Sequence, residues 1–405
     1  MAENNNIPMV RFAAFAHEWE KQKFDDILDK YEDPVATPHD GYERLGVRSH
    51  VKGTFHSYVA PGAELETAQM HRVAADKMLF NITFAWEHAV AITAENDAGK
   101  LVSHRFPQFS FAPEMYPKFF KYVVADEKFR YHLWLSSPGG AGRNRVLNIP
   151  EMLQYETHLP KKQEQICIAE WFGNLDNLIA QHQSRLEKMQ SIKSSMLEKM
   201  FPKDGADVPK VRFGGFYKPW RTVHLKDVAF EITRTDKTST APIMMITAAN
   251  GFIDQSDRYS FDNAGQSLSK YIVLRKGELA YNHGASKLRP FGSCFALEVE
   301  EARIPYVYHC FSINEHNPYF VSRVLNNKET EKQLRKLVTS GARMDGLLNI
   351  SYEEYTTLTI QLPEKEEQDR IADYFKSIEN MISLCQQELE KLQSLKKGLL
   401  EKMFV

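Results

Sequence analysis

LPKKQEQICIAEWF, from Leu159 to Phe172, and LPEKEEQDRIADYF, from Leu362 to Phe375, are two versions of one motif set 203 residues apart. Each opens on Leu-Pro, carries Glu-Gln (Glu164-Gln165 and Glu367-Gln368), passes Ile-Ala (Ile168-Ala169 and Ile371-Ala372) and closes on an aromatic pair. The same offset aligns LEKMQSIKSSMLEKMF (Leu186 to Phe201) with LEKLQSLKKGLLEKMF (Leu389 to Phe404). Towards the start of each half, IPMVRFAAFAHEWEKQKFDDI (Ile7 to Ile27) aligns with VPKVRFGGFYKPWRTVHLKDV (Val208 to Val228) at an offset of 201. Identities there are Pro8/Pro209, Val10/Val211, Arg11/Arg212, Phe12/Phe213, Phe15/Phe216, Trp19/Trp220 and Asp26/Asp227. A repeat of this length means that one structural unit occurs twice. The middles correspond only faintly, as in Phe80-Asn81 against Tyr281-Asn282 and Leu147-Asn148-Ile149 against Leu348-Asn349-Ile350. Constant ends around divergent middles imply a shared task for the ends and different targets for the middles.

The stretches after Pro160 and Pro363 hold few helix breakers, and their apolar residues fall at alternating steps of four and three. The first seam is Ile168, Phe172, Leu175, Ile179, His182, Leu186, Met189, Lys193, Met196 and Met200. The second is Ile371, Phe375, Ile378, Ile382, Cys385, Leu389, Leu392, Lys396, Leu399 and Met403. Heptads sustained over this length predict coiled-coil helices, each spanning roughly 50 Å. Lys193 and Lys396 occupy equivalent seam positions, where a polar residue costs stability but can fix register. Equal length and phase predict that the two helices pair with each other, antiparallel if the halves are related by a pseudo-twofold axis. Pairing with another chain is the alternative.

The expected fold is therefore α+β: two pseudo-twofold-related globular domains joined by two long helices in an antiparallel coiled coil. The expected boundaries are 1–160 and 204–361 for the domains, and 161–203 and 362–405 for the helices. Strand-like runs such as Leu101 to His104 and Tyr271 to Leu274, broken by turns such as Lys52-Gly53-Thr54, give the middles their β component.

Formal net charge is -2, which gives no global basic signature of a nucleic-acid binder, although a neutral chain can carry a basic face. The four cysteines, Cys167, Cys294, Cys310 and Cys385, form no CxxC pair and read as reduced thiols of a cytoplasmic protein. No run approaches the apolar length needed to span a bilayer, and the N-terminus lacks a signal-peptide layout.

No HExxH, P-loop, GxSxG or amino-methyltransferase tetrapeptide occurs. Glu114 followed by Asp126 and Lys128 is a loose nuclease-like pattern of the kind chance supplies. Two loop groups carry the recognition chemistry instead. The first follows Asn81 and Asn282, offering Thr83, Trp86 and His88 in one half and His283, Ser286, Lys287 and Arg289 in the other. The second precedes Leu-Asn-Ile in both halves and presents Arg143, Asn144 and Arg145, or Arg343 and Asp345. Lys52 joins the set. Such amide, hydroxyl and cationic side chains are the usual readers of phosphates and base edges. Taken singly, each could equally be a solvated loop residue; their paired placement raises them as groups.

The duplicated L-P-x-x-x-E-Q-x-x-I-A motif, the VRF…F…W openings and the LEKMF endings resemble the specificity subunit of Type I restriction–modification systems, over essentially the whole chain. The resemblance implies that each middle reads one half of a bipartite DNA target and that the coiled coil sets the spacer. It also implies that two methyltransferase subunits dock on the helices and that two restriction subunits join them. S-adenosylmethionine, ATP and Mg²⁺ would belong to those partners, with no cofactor on this chain and no catalytic residue. Two other classes compete: a coiled-coil scaffold with protein-binding ends, which the neutral charge favours, and an autonomous DNA enzyme, which the missing motifs disfavour.

Overall fold

Strands and short helices alternate through the first half until Pro160 turns the chain into a single long helix. The computed structural model describes residues 6–64, 69–139, 145–203, 205–257, 269–338 and 348–404. In the first half these are β1 (Glu20–Lys23), α1 (Phe24–Ile27), β2 (Leu28–Tyr31), β3 (Pro34–Val35), β4 (Tyr42–Val47) and β5 (Thr54–Val59). They continue with β6 (Met70–Arg72), β7 (Met78–Phe80), β8 (Val90–Ile92), β9 (Leu101–Ser103), β10 (Gln108–Phe111), α2 (Pro117–Val123) and α3 (Glu127–Leu135). Then come α4 (Ile149–Met152), β11 (Glu156–Leu159) and the long α5 (Lys162–Lys199). The second half has β12 (Arg221–His224), β13 (Ala229–Glu231), β14 (Met244–Thr247), β15 (Gly251–Asp254), β16 (Ile272–Arg275) and β17 (Leu279–Asn282). It goes on through β18 (Ser293–Ala296), β19 (Glu301–Ile304), β20 (His309–Ile313), α6 (Pro318–Leu325), α7 (Lys328–Leu337), α8 (Tyr352–Thr356), β21 (Thr359–Leu362) and the long α9 (Lys365–Met403).

The halves repeat one scaffold. A four-stranded antiparallel sheet runs in the order β2-β10-β7-β8 in the first and β13-β20-β17-β18 in the second. A two-stranded ribbon ties the start of each domain to its end, with Glu20 opposite Leu159 and Arg221 opposite Leu362. The divergence of the middles lies in the remaining strands. The first half builds a five-stranded sheet, β3-β6-β9-β4-β5, where the second has the pairs β14-β15 and β16-β19. The helices after the sheet start on local signals, Pro117 and Pro318 standing in the first turns of α2 and α6. The Asn317 side chain caps α6 by accepting from the Tyr319 and Phe320 amides, and Ser351 with Glu354 forms a capping box on α8.

The chain divides into two compact units, Met1–Gln183 with Gln387–Val405, and Ser184–Gln386. Each long helix is thus shared between them. In the first unit the start of α5 packs against the end of α9. His182 Nδ1 is 3.4 Å from the Glu388 carboxylate, Lys396 Nζ is 2.6 Å from that of Asp176, and the Phe172 and Phe404 ring centroids are 6.3 Å apart. Rising numbers on one helix meet falling numbers on the other, so the pair is antiparallel. In the second unit Lys193 meets Glu379 at 2.9 Å, and the ring centroids of Phe201 and Phe375 are 6.2 Å apart, with the same antiparallel sense. The seams point inward. Ile168, Phe172, Leu175, Leu186, Ile371, Phe375, Ile378, Cys385 and Leu389 are buried, and Ile179, Met189, Ile382 and Leu392 are half-buried.

Phe24, Phe80, Phe119, Phe120, Phe129 and Phe172 form the aromatic centre of the first unit. Tyr281, Phe311, Phe320, Tyr355 and Phe375 form that of the second. Phe119/Phe320 and Phe172/Phe375 are repeat equivalents, which explains why the scaffold persists while the periphery drifts. Among the described residues no helix is long and apolar enough to cross a membrane.

Candidate nucleic-acid interface

The repeated motif residues meet one another and hold the domain faces in place. Arg11 Nε and Nη2 donate to the two Glu164 oxygens, both at 2.7 Å, and Arg212 does the same to Glu367 at the same distances. Both glutamates are buried, a setting in which a bidentate guanidinium is the fitting partner. The hydrogen bond to Glu164 is foremost in raising the Arg11 pKa, as Glu367 is for Arg212. Gln165 bridges the Pro160 carbonyl and the Tyr116 amide, and Gln368 bridges the Pro363 carbonyl and the Asn317 amide. Trp19 packs edge-on to Phe404 at 5.9 Å, and Trp220 edge-on to Phe201 at the same distance. The closing phenylalanine of each repeat therefore serves the domain of the other repeat.

On this frame the same backbone bond ties the first loop to the Leu-Asn-Ile segment in both units. The Leu147 amide donates to the Ile82 carbonyl at 2.9 Å, and the Leu348 amide donates to the His283 carbonyl at 2.9 Å. The asparagines shape the first loop. Asn81 Oδ1 accepts from the Thr83 amide and hydroxyl, while Asn282 Oδ1 accepts from the Gly284 amide and Nδ2 donates to the Ile246 carbonyl. An Asx side chain closed on the backbone two residues ahead fixes a turn.

The loop contents differ. In the first unit Trp86 lies in a 3-10 turn (Ala85–Glu87) and donates from Nε1 to the Thr83 carbonyl. His88 ends that turn in the left-handed region (φ 66°), is buried, and its Nε2 lies 2.6 Å from the Val124 carbonyl. Burial lowers its pKa, and its place is in the core beneath the loop, because the turn directs the imidazole inward. The exposed Lys52 stands in a turn whose His50 and Val51 amides donate to the Glu87 and His88 carbonyls, so the structure brings it to the same loop. Arg145 completes the group, its guanidinium 4.7 Å from the Trp134 ring and 5.9 Å from the Trp86 ring.

In the second unit Ser286 and Lys287 are exposed, and the Ser286 hydroxyl accepts from the Arg289 amide. Arg289 turns back towards α6, donating from Nη1 to the Asn326 carbonyl, and burial lowers its pKa. Arg143, Asn144, Arg343 and Asp345 lie outside the described residues. Of the nuclease-like pattern, Asp126 caps α3 by accepting from the Lys128 amide. Among the described residues no group of three or more His, Cys, Asp or Glu is placed to hold a metal ion.

The sequence reading does not single out Tyr131 and Trp134, which stand exposed on α3 with rings 6.0 Å apart and 11° from parallel. Setting α3 against α7 at the repeat offset would have exposed them, since their counterparts are Lys332 and Arg335.

No protein-family model matches the chain. A curated relative, the Type I restriction enzyme MjaVIII specificity subunit of Methanocaldococcus jannaschii, is 26% identical over 267 residues. The chain is a homologue of Type I specificity subunits. The match spans 60% of this chain and 59% of that specificity subunit, less than two thirds of its length. A crystal structure of a Type I restriction–modification S subunit from M. genitalium is similar at a TM-score of 0.58, 13% identity, and 98% and 99% coverage of the two chains. That likeness shows a specificity-subunit fold. The HsdS subunit from Thermoanaerobacter tengcongensis matches at a TM-score of 0.44 and 16% identity, covering 95% of this chain and 96% of that one.

Proposed function

We propose that this chain is the non-catalytic DNA-recognition subunit of a Type I restriction–modification complex. Each unit reads one half of a bipartite target, and α5 and α9 set a fixed spacer between the halves. The observation that carries this reading is the paired loop. The same backbone bond, Leu147 to Ile82 and Leu348 to His283, joins two loops in each unit, while the side chains on those loops differ. A shared frame with divergent contents suits two different half-sites.

Partner docking has support on the helices. Leu178 and Met381 are repeat equivalents, as are Ile192 and Leu395, and all four are exposed. Leu178 and Leu395 belong to the first unit, Ile192 and Met381 to the second. Apolar positions exposed twice in the same register suit two copies of one partner, which we assign to two methyltransferase subunits, with two restriction subunits joining them. S-adenosylmethionine, ATP and Mg²⁺ belong to those partners, in the cytoplasm. The absence of a strong positive charge on the chain fits a methyltransferase that clamps the DNA while this subunit selects the sequence.

The test is co-expression with the cognate methyltransferase, followed by mapping of methyladenine in host DNA. A new split motif with a constant gap, present only with both genes, is expected. A stable complex that leaves no new mark, or no complex, rejects the reading.

A further inference from the structure

Helices α3 and α7 are repeat equivalents at an offset of 201; α3 packs against the 3-10 turn that holds Trp86, and α7 sets Arg335 beside Phe291, which follows the corresponding loop. Their exposed last turns carry different chemistry. On α3 the exposed residues are Glu127, Lys128 and Arg130 in its first part and Tyr131, Trp134 and Leu135 in its last turn; at the places of the last three α7 carries Lys332, Arg335 and Lys336, also exposed. The contrast continues into the first loop, where Trp86 answers to Lys287. An arginine at each of these last turns is braced by an aromatic ring: Arg145 lies over Trp134, and Arg335 lies 5.5 Å from the Phe291 ring centroid.

A cationic face next to the candidate reading loop is complementary to a polyanion. Its equivalent in the other unit, at the same place in the same scaffold, would meet the same kind of partner by other means. Tyr131 and Trp134 hold a flat stacked pair out of the domain, and Arg145 fixes the orientation of the outer indole. Aromatic or apolar side chains presented in this way can enter a base step and unstack it.

We propose, on the DNA-recognition reading above, that the two half-sites are held differently. The α3 face of the first unit contacts its half-site by base stacking through Trp134 and Tyr131. The α7 face of the second unit holds backbone phosphates through Arg335 and Lys336.

Salt separates the two modes. Each phosphate contact contributes about 0.9 to the slope of log K against log salt, whereas stacking contributes little to it. The full chain, with methyltransferase added to raise affinity, is titrated against a short duplex pool of random sequence over a series of salt concentrations. Trp134→Ala is expected to weaken binding on the order of tenfold at an unchanged slope, and Trp134→Phe to restore most of it. Arg335→Ala is expected to lower the slope by about 0.9. Both substitutions fall on exposed side chains, so unchanged thermal unfolding is the control.

A wild type that binds no duplex overturns this inference together with the reading it rests on. A wild type that binds, with Trp134→Ala unaltered or Arg335→Ala keeping the full slope, overturns this inference alone. So does a Trp134→Ala chain that binds DNA normally but no longer holds the methyltransferase, since the face would then be a protein contact.

Discussion

Lys396 Nζ lies 2.6 Å from the Asp176 carboxylate, and the repeat equivalents Lys193 and Glu379 lie 2.9 Å apart. The lysine that interrupts each heptad seam is thus matched by an acid on the facing helix, within one unit each time. Asp176 and Lys396 are the less exposed pair, so their coupling is the larger. A double-mutant cycle with Asp176→Asn and Lys396→Met is expected to give about 1–2 kcal/mol, and the cycle at Glu379 and Lys193 less. Burial alone would raise the Asp176 pKa, but hydrogen bonds from Lys121 and Lys396 outweigh it and the net direction is down. A depressed carboxylate stabilises the fold above its unfolded pKa, about 3.9, and the contribution is lost as pH falls through the folded value. The 176–396 coupling measured by urea unfolding should therefore persist at neutral pH and fade below about pH 4; equal coupling in acid would contradict it.

Phe201 closes the first repeat yet stacks on Phe320 and meets Trp220 and Phe375 in the second unit. Phe201→Ala should cost about 3–5 kcal/mol, the range for a buried Phe→Ala change. The loss should appear as faster amide exchange in β13, β17 and β20, with β2, β7 and β10 spared. Loss confined to the first half would contradict the crossed packing.

Arg11→Ala leaves Glu164 buried without its guanidinium. A cost of about 3–5 kcal/mol is expected from chemical denaturation, with Arg11→Met plus Glu164→Leu recovering most of it. A single mutant as stable as the wild type would mean that the pair contributes nothing.

His88 carries a pKa held below its ordinary value by burial. A base depressed in the folded state destabilises as pH falls through its unfolded pKa, about 6.5, until the folded value is passed. The difference in Tm between wild type and His88→Gln should shift against the wild type on acidification from about pH 7.5 to 5.5. A constant difference would place the imidazole in water.

Four residues inserted into both α5 and α9 add roughly 6 Å to each helix. One base pair advances about 3.4 Å, so the gap in the methylated motif should lengthen by about two base pairs with both half-sites unchanged. An unchanged gap rejects the helices as a ruler.

The helices and the duplication were legible in the sequence because their causes are local and periodic. A heptad seam repeats wherever a helix is buried on one side, and Ile168 to Leu175 reads like Ile371 to Ile378. The β strands were legible only in outline, since β1, β2 and β9 pair with strands distant in the chain, β11, β10 and β4. Of the candidate site residues, Lys52, Trp86 and Arg145 were visible as types. That they share one loop cluster follows from backbone bonds at His50, Val51 and Leu147.

By itself the sequence determined that one unit occurs twice, that each copy ends in a long amphipathic helix, and which side of that helix is buried. Spacing and periodicity suffice for that. Only the tertiary structure decided which residues of one repeat complete the other. Phe201 and Phe404 leave their own repeats because antiparallel helices bring the end of each to the start of its partner, a pairing that linear order does not encode. The tertiary structure also decided that His88 turns into the core while Trp134 stays out, because the turn before His88 and the bracing of Arg145 are set by packing between segments far apart in the chain.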